Sequence, residues 1–507
     1  MKRHHVNRVR RKPFWLPLLL AAIAGSLSAC TVGPDFQTPA GPVVQQYTSG
    51  TPVTATVASP GAGGATQRFD PAMDIPAQWW SLFHSPQLDA LVREALANSP
   101  LMAQAKATLR QASETLNGQT GASRYPQVDL QLGNTRQQID TAALGIPSVP
   151  QAGPFTLYNA AVNVTYTVDA FGANTRMLEG LQAQVQYQAD ELQAARLTLA
   201  ANVVTAAIRQ ASLHAQIVSS EQMLQLQRQQ LDIMAQRFAA GGIAQRDLKS
   251  QRALVAQSEA ALPSFRQQLA QVSHQLAVYL GKAPAQVDLQ PLDLNTLTLP
   301  ATLPLSLPSA LARQRPDIRA AEATLHQAGA QVGVATANLY PQLTLSGSVG
   351  AEQTRLSDIA NSLNVWSIGI KLMQPLFHGG ELRAKKRSVV AAYDAAAAGY
   401  QQTVLQALQQ VADTLRALEN DAQTLQARTQ AAENAEDSLA ITQRQYEAGG
   451  VSHLSLLDAQ RQRMQTDLDR TVAQAARFTD TAALLQALGG GWWNLPAAGA
   501  DCIQVCE

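Results

Sequence analysis

Two stretches of this chain are too long and too free of helix breakers to be ordinary globular helices. From Ala173 to Ala240 there is no proline and one glycine, and from Glu381 to Ala448 the same holds. At 1.5 Å per residue each predicts a rod of ~100 Å. Ile217, Leu224, Leu231 and Phe238 recur every seventh residue in the first, as do Leu425, Ala432, Leu439 and Tyr446 in the second. A sustained heptad predicts helices that supercoil round their neighbours. Alanine and glutamine dominate the remaining positions, so such a helix can touch neighbours on two sides while one face stays wet. That is the pattern of a tube wall, and equally of a long antiparallel coiled coil.

The two rods belong to an internal repeat. Arg237-Phe238-Ala239-Ala240-Gly241-Gly242-Ile243 matches Gln445-Tyr446-Glu447-Ala448-Gly449-Gly450-Val451 at an offset of 208, and Leu280-Gly281 matches Leu488-Gly489 at the same offset. Upstream, Arg124-Tyr125-Pro126-Gln127-Val128 matches Leu339-Tyr340-Pro341-Gln342-Leu343 at an offset of 215. Two structural halves are therefore fused. Each half opens with helical periodicity, over 87–120 and 308–338, that ends before a Tyr-Pro pair, because the residue before proline avoids the α region. Each closes in a long hairpin, 173–281 and 381–489, whose Gly-Gly tip supplies the positive φ needed to end one helix and reverse the chain.

Between those helices lie segments with strand character. Val128, Leu130 and Leu132 alternate with polar residues, and so do Val162, Val164, Tyr166 and Val168; Leu343, Leu345 and Val349 and then Trp366, Ile368, Ile370 and Leu372 do the same in the second half. Strands of ~10 residues with two different faces suit a tilted barrel wall. The expected strand regions are about 126–170 and 341–377. Four strands cannot close a barrel in lipid, where an open edge leaves backbone groups unsatisfied. Two copies would supply eight strands and three would supply twelve. An eight-stranded barrel is filled by its own side chains, so a transport role favours three.

The chain start constrains location. Lys2, Arg3, Arg8, Arg10, Arg11 and Lys12 precede an apolar run from Phe14 to Leu27 that is too short to span a bilayer. Leu27-Ser28-Ala29-Cys30 follows and resembles the bacterial lipobox, in which the cysteine becomes the first mature residue and carries an N-acyl group and an S-diacylglycerol. Residues 1–29 are thus read as a lipoprotein signal peptide. Thr31 stands where an Asp would resemble an inner-membrane retention signal. Losing those six basic residues takes the formal charge from +1 to −5, which argues against nucleic acid. Cys502 and Cys506 can pair in an oxidising compartment, but two thiols without His or acidic company make a poor metal site. Beyond the leader no segment has the ~18 uninterrupted apolar residues of a membrane-spanning helix.

The eight histidines do not cluster, and no phosphate loop, nucleophile elbow or zinc-ligand spacing appears. No enzyme activity is expected, and no cofactor beyond the lipid on Cys30. The division expected along the chain is signal peptide 1–29, lipidated extended arm 30–75, first repeat 76–290, second repeat 291–492 and tail 493–507. A non-conducting periplasmic coiled-coil lipoprotein is the alternative reading of the same pattern.

Cys30-Thr31-Val32-Gly33-Pro34-Asp35-Phe36, Trp79-Trp80, Arg315-Pro316-Asp317-Ile318, both Tyr-Pro-Gln sites, Pro375-Leu376-Phe377 with Gly379-Gly380, and Leu488-Gly489-Gly490-Gly491-Trp492 occur in order. Together they resemble the TolC/OprM type of outer membrane efflux proteins, in the NodT-like lipoprotein branch, almost continuously from Cys30 to Trp492. The resemblance implies a mainly α fold with a membrane β-barrel, in which each chain of a homotrimer gives four strands to a 12-stranded barrel and its hairpins to a periplasmic α-barrel. It implies a passive exit duct in the outer membrane of a Gram-negative bacterium, with a periplasmic adaptor and an inner-membrane efflux pump as partners. Carried over residue by residue, Gly241, Gly242, Ile243, Gly449, Gly450, Val451 and Ser452 are the tips that meet the adaptor. Leu454, Asp458 and Arg461 match the gate of the periplasmic mouth, and their i, i+4, i+7 spacing puts them on one helix face. A threefold axis would gather them into rings. Ser455 stands where TolC has a second acidic residue, so a double acidic ring is not expected. At the 208 offset the first half has Arg246, Ser250 and Ala253, so the constriction would come from the second half alone.

Overall fold

The computed structural model describes residues 31–49, 54–138, 153–287, 289–360 and 363–494. The signal peptide, Cys30, Cys502 and Cys506 lie outside the described residues. The helices are α1 Pro86–Asn98, α2 Pro100–Arg124, α3 Ala173–Ala239, α4 Gln245–Tyr279, α5 Pro308–Gln314, α6 Pro316–Ala337, α7 Glu381–Glu447 and α8 His453–Ala487. The strands are β1 Arg68–Asp70, β2 Gln127–Gln137, β3 Phe155–Val168, β4 Thr302–Pro304, β5 Gln342–Gln353 and β6 Val365–Met373.

The two long helices have the extent read from proline and glycine punctuation. The shorter helical segments do not. Each is broken once, at Ser99 before Pro100 and at Arg315 before Pro316, where the backbone turns extended at ψ 130° and 126°. Proline is welcome at the first turn of the new helix and hostile to the residue before it. The apolar spacing continues through both breaks, which is why periodicity alone missed them.

The chain folds into two compact units, and each draws on both repeats. One holds residues up to Thr38, Gln111–Val185 and Ala323–Ala398; the other holds Pro39–Arg110, Gln186–Glu322 and the chain from Gly399 onward. The first contains the sheet β2-β3-β5-β6, antiparallel throughout. Its helix-linked strand ends lie together at one side, with Gln127 opposite Thr165, Val168 opposite Leu343 and Gln342 opposite Met373. The first described residues, from Thr31, dock in this unit. Arg176 on α3 binds Asp35 at 2.6 Å and Glu179 at 2.7 Å, Glu179 meets His326 on α6 at 2.8 Å, and His326 stacks on Phe36 with ring centres 4.1 Å apart. Gly33, at φ +107°, lies so near Gly333 that an added Cβ would stand 2.5 Å from its Cα.

The second unit has an apolar core built on Trp79, Phe83, Leu88, Val204, Ile208, Leu276, Leu418, Phe478 and Leu485. The extended segment through Ala65 runs along it, held by a fully buried arginine. Arg477 on α8 donates to the carbonyls of Gly63 and Leu418 and to Thr56 Oγ1 and Gln67 Oε1, so its guanidinium is committed to the arm and to α7. Just beyond, three-residue β1 and β4 pair in parallel, Arg68 with Thr302 through Asp70 with Pro304. The motifs Arg315-Pro316-Asp317 and Gly490-Gly491-Trp492 also belong to this unit. Arg315 grips Asp317, Gln410 and the Ala487 carbonyl, Trp492 Nε1 donates to the Gln314 carbonyl, and Arg319 lies over the Trp492 ring at 4.8 Å. Their work here is packing and positioning.

Candidate functional site: the sheet faces and the hairpin tips

Strand pairing sorts the sheet into two chemically opposite faces. Leu130, Val162, Val349 and Trp366 share one row across the four strands, and Val128, Val164, Gly347 and Ile368 share the next. Tyr166, Leu345 and Ile370 follow, then Val168, Leu343 and Leu372. Side chains in a row point the same way, so one face is apolar over its whole width. It is also uncovered: Leu130 is 68 % exposed and Ile368 82 %. An apolar patch of this extent is foreign to the surface of a water-soluble monomer. The other face carries Asp129, Asn163, Ser348 and Ser367 in one row and Thr167, Thr344 and Lys371 in another. Its polar groups bond across strands, Ser348 to Ser367 at 2.8 Å and Asn163 to Gln131 at 3.2 Å. The arrangement can separate a hydrocarbon phase from water. Both edges, β2 and β6, lack a strand partner among the described residues.

The hairpin tips are built alike. Gly241 N–H donates to the Phe238 carbonyl and Gly242 N–H to that of Arg237; Gly449 and Gly450 repeat this onto Tyr446 and Gln445. These paired bonds form the Schellman closure, whose left-handed residue is Gly241 at φ +75° and Gly449 at φ +76°. Ile243 and Val451 are half-buried. The exits differ: Ser452 caps α8 through the Ser455 N–H, whereas Ala244 offers α4 no side-chain cap.

Leu454, Asp458 and Arg461 all lie on the outer face of α8, while Leu456, Leu457 and Gln460 between them are buried. Leu454 is 57 % exposed, an unusual setting for a large aliphatic side chain. Arg461 stands 3.9 Å from Asp458, a loose pair, and reaches Gln257 on α4 at 3.4 Å. The structure thus aligns the three residues but brings only the last two together.

Two features here were not read from the sequence. His453, adjacent to Leu454, is 6 % exposed beside Tyr446, and neither ring nitrogen has a hydrogen-bond partner among the described residues. Burial pushes its pKa below the usual histidine value, against the opposing charge of Asp247. The second feature is an ion network along α8. Asp467 accepts from Arg463 at 3.1 Å, from Arg470 at 2.6 Å and from Ser219 on α3, and Arg463 also reaches Glu436 on α7 at 3.2 Å. Burial raises the Asp467 pKa, but the Ser219 hydrogen bond and the two arginines outweigh it and hold the carboxyl below its ordinary value. The network lines a cleft of about 560 Å³ with Met223, Ile233 and Leu439. The charge spacing 463, 467, 470 was visible in the sequence; its partners on α3 and α7 were not. Among the described residues no group of three or more His, Cys, Asp or Glu can hold a metal ion, and no helix is long and apolar enough to cross a membrane.

The profile of the family described as outer membrane efflux protein matches residues 91–282 and 307–490. The pyoverdine export outer membrane protein OpmQ of Pseudomonas putida is 30 % identical over 87 % of this chain and 94 % of its own length. The toluene efflux pump outer membrane protein TtgF, from another strain of that species, is 28 % identical over 94 % of this chain and 97 % of its own. Among solved structures, the outer-membrane channel OprN superposes with a TM-score of 0.80 at 28 % identity, covering 91 % of this chain and all of that one.

Proposed function

This chain belongs to the outer membrane efflux protein family, and from that premise we propose that its mouth is shut by Leu454, Asp458 and Arg461 and released when an adaptor engages the Gly-Gly tips. The chain is the outer-membrane exit duct of a tripartite efflux system, a homotrimer whose partners are a periplasmic adaptor and an inner-membrane pump. Each copy gives four strands to a 12-stranded barrel. The observation that carries the duct reading is the two-faced sheet: an apolar exterior for lipid and a hydroxyl- and amide-rich interior for water.

The duct does no chemistry of its own. It supplies a path, while the energy and the choice of cargo reside in the pump. Pyoverdine and toluene, named for two relatives, are chemically unlike, which suits a wall that is permissive toward solutes. Cys30 carries the lipid anchor. The grip of Arg176, Glu179 and His326 on Asp35 and Phe36 supports this reading, because it holds the chain just after Cys30 beside the strand-to-helix junction.

At the mouth, a threefold axis turns the exposed face of α8 into stacked rings of leucine, aspartate and arginine. The leucine ring resists wetting, and the charged rings tie neighbouring copies to one another. In planar bilayers the unmodified trimer then conducts weakly, and Asp458→Ala or Arg461→Ala raises conductance several-fold. Unchanged conductance in both variants removes these residues from the gate; no conductance in any variant sinks the duct.

A further inference from the structure

The two halves of the repeat leave the sheet differently, and we propose that the second makes a membrane contact of its own. Arg383, Lys386 and Arg387, just past the exposed Leu376 and Phe377, take the anionic phospholipid headgroups of the periplasmic leaflet. The inference rests on the barrel reading above and goes beyond it by naming a charge-selective lipid surface.

The two exits from the sheet are level. Val168, the last residue of β3, and Leu372, the last but one of β6, share a row. Four residues past that row the first half reaches Gly172 and the second reaches Leu376. At the first of these points the described chain start is docked: Val32 N–H donates to the Phe171 carbonyl at 3.3 Å, and a Cβ added to Gly172 would collide with Thr31. Thr31 follows Cys30, so the acyl chains proposed for that cysteine enter lipid at this level. Leu376 and Phe377 then stand at the same surface of the bilayer.

Their exposure agrees with that place. Leu376 is 91 % exposed and Phe377 87 %, more than any residue on the apolar face of the sheet. Side chains of this size are costly to leave in water, and at the boundary of hydrocarbon and headgroup they are relieved by lipid.

Charge completes the surface. Residues 376–393 hold four basic side chains and one acidic, in a chain that is net acidic beyond its leader. The one acid, Glu381, is taken by Lys385 at 2.5 Å. Arg383, Lys386 and Arg387 stand at i, i+3 and i+4 on another side of α7, and none has an ion-pair partner among the described residues. They also occupy the first two turns of α7, where the helix dipole opposes positive charge. Three cations gathered against the dipole and left unpaired call for an anion from outside the chain. Arg383 and Arg387 are exposed, so they offer a surface and not a pocket.

The first half has no counterpart. At the 208 offset stand Thr175, Leu178 and Glu179, and Glu179 is committed to Arg176 and His326. The half that receives the chain start lacks the cations, and the half without it carries them. Bulky apolar side chains beside unpaired lysine and arginine are the means by which proteins hold anionic lipid surfaces.

The full-length trimer, purified in detergent and exchanged into micelles holding equal phosphatidylglycerol and phosphatidylcholine, tests this through the lipid it retains. Phosphatidylglycerol is expected to be favoured about threefold, and the preference to fall toward parity in about 0.5 M salt. Arg383→Gln with Lys386→Gln and Arg387→Gln is expected to remove the preference, and Arg355→Gln, beyond the opposite end of β5, to leave it unchanged. Should the triple variant not assemble, Arg387→Gln alone decides, with the preference expected to drop by about a third. Equal retention of the two lipids by the unmodified trimer overturns the inference, as does a preference that survives these substitutions or drops equally in Arg355→Gln. Release of phosphatidylglycerol by matched glycerol 3-phosphate also overturns it, because a free phosphate site would then suffice. A trimer that conducts in bilayers without lipid preference loses this surface and keeps the duct; one that never conducts loses the duct itself.

Discussion

The two hairpins have the same helix lengths, 67 and 35 residues in each, yet they are held together by different forces. In the first, Val255 and Leu262 of α4 close on Ile217 and Leu224 of α3 in an apolar seam flanked by Leu231 and Phe265. The positions 208 residues on are Arg463 and Arg470. There the seam is ionic, centred on Asp467 and tied to Glu436 and Ser219. Opposite them, Leu224 of the first hairpin is replaced by Ala432 of the second. A duplicated backbone therefore does not require a duplicated core. The hairpin that carries the candidate gate is the one whose buried seam is ionic; the ion pairs across the first hairpin, Arg228 with Glu259 and Arg266 with Glu221, lie at its exposed flanks.

The sharpest way to break this comparison is to open the apolar seam. Leu224→Ala is expected to cost about 3 kcal/mol, the usual loss for a buried leucine whose cavity only partly collapses. Amide hydrogen exchange should accelerate along α3 and α4 and stay near its original rate in α7 and α8. Equal acceleration in both hairpins would mean that they open as one body.

The ionic seam gives a smaller effect with a pH signature. Asp467→Ala leaves two arginines without their common partner, at a cost of about 2 kcal/mol, read by exchange in α7 and α8. The folded carboxyl titrates below its unfolded value, so its contribution is complete above the unfolded pKa and is lost as pH falls through the folded one. Acidification should loosen the second hairpin before the first, and Asp467→Ala should remove that difference. The smallest expected effect is that of Glu436→Gln. Its carboxylate is largely exposed, so the loss is about 0.5 kcal/mol or less and disappears in high salt.

What the residues disclosed follows the same division between local and distant causes. Proline and glycine punctuation placed the long helices, and alternation placed the four sheet strands, because both signals are carried within a dozen neighbouring residues. The tips were legible for the same reason, since Gly241 and Gly449 are needed where φ turns positive. The breaks at Ser99 and Arg315 were masked by uninterrupted apolar spacing. The parallel pairing of β1 with β4 was invisible because three-residue strands have no period. Asp467 and Ser219 are separated by 248 residues, and nothing local to either announces the other. His453 reads as one more isolated histidine until Tyr446 and Asp247 are seen to surround it. The proposed gate face lies between these cases: its alignment on α8 follows from spacing, while the meaning of that alignment depends on a threefold axis that no single chain contains.

The equal helix lengths also restrict how the molecule can change over evolutionary time. A heptad inserted into α3 alone would advance its Gly-Gly turn by about 10 Å and leave the turn after α7 behind. Under the docking proposed above, an adaptor that meets all six tips of a trimer at one level cannot tolerate that. Insertions and deletions in these helices should therefore be inherited in pairs, at corresponding heptads of the two repeats, so that the family lengthens or shortens in matched steps.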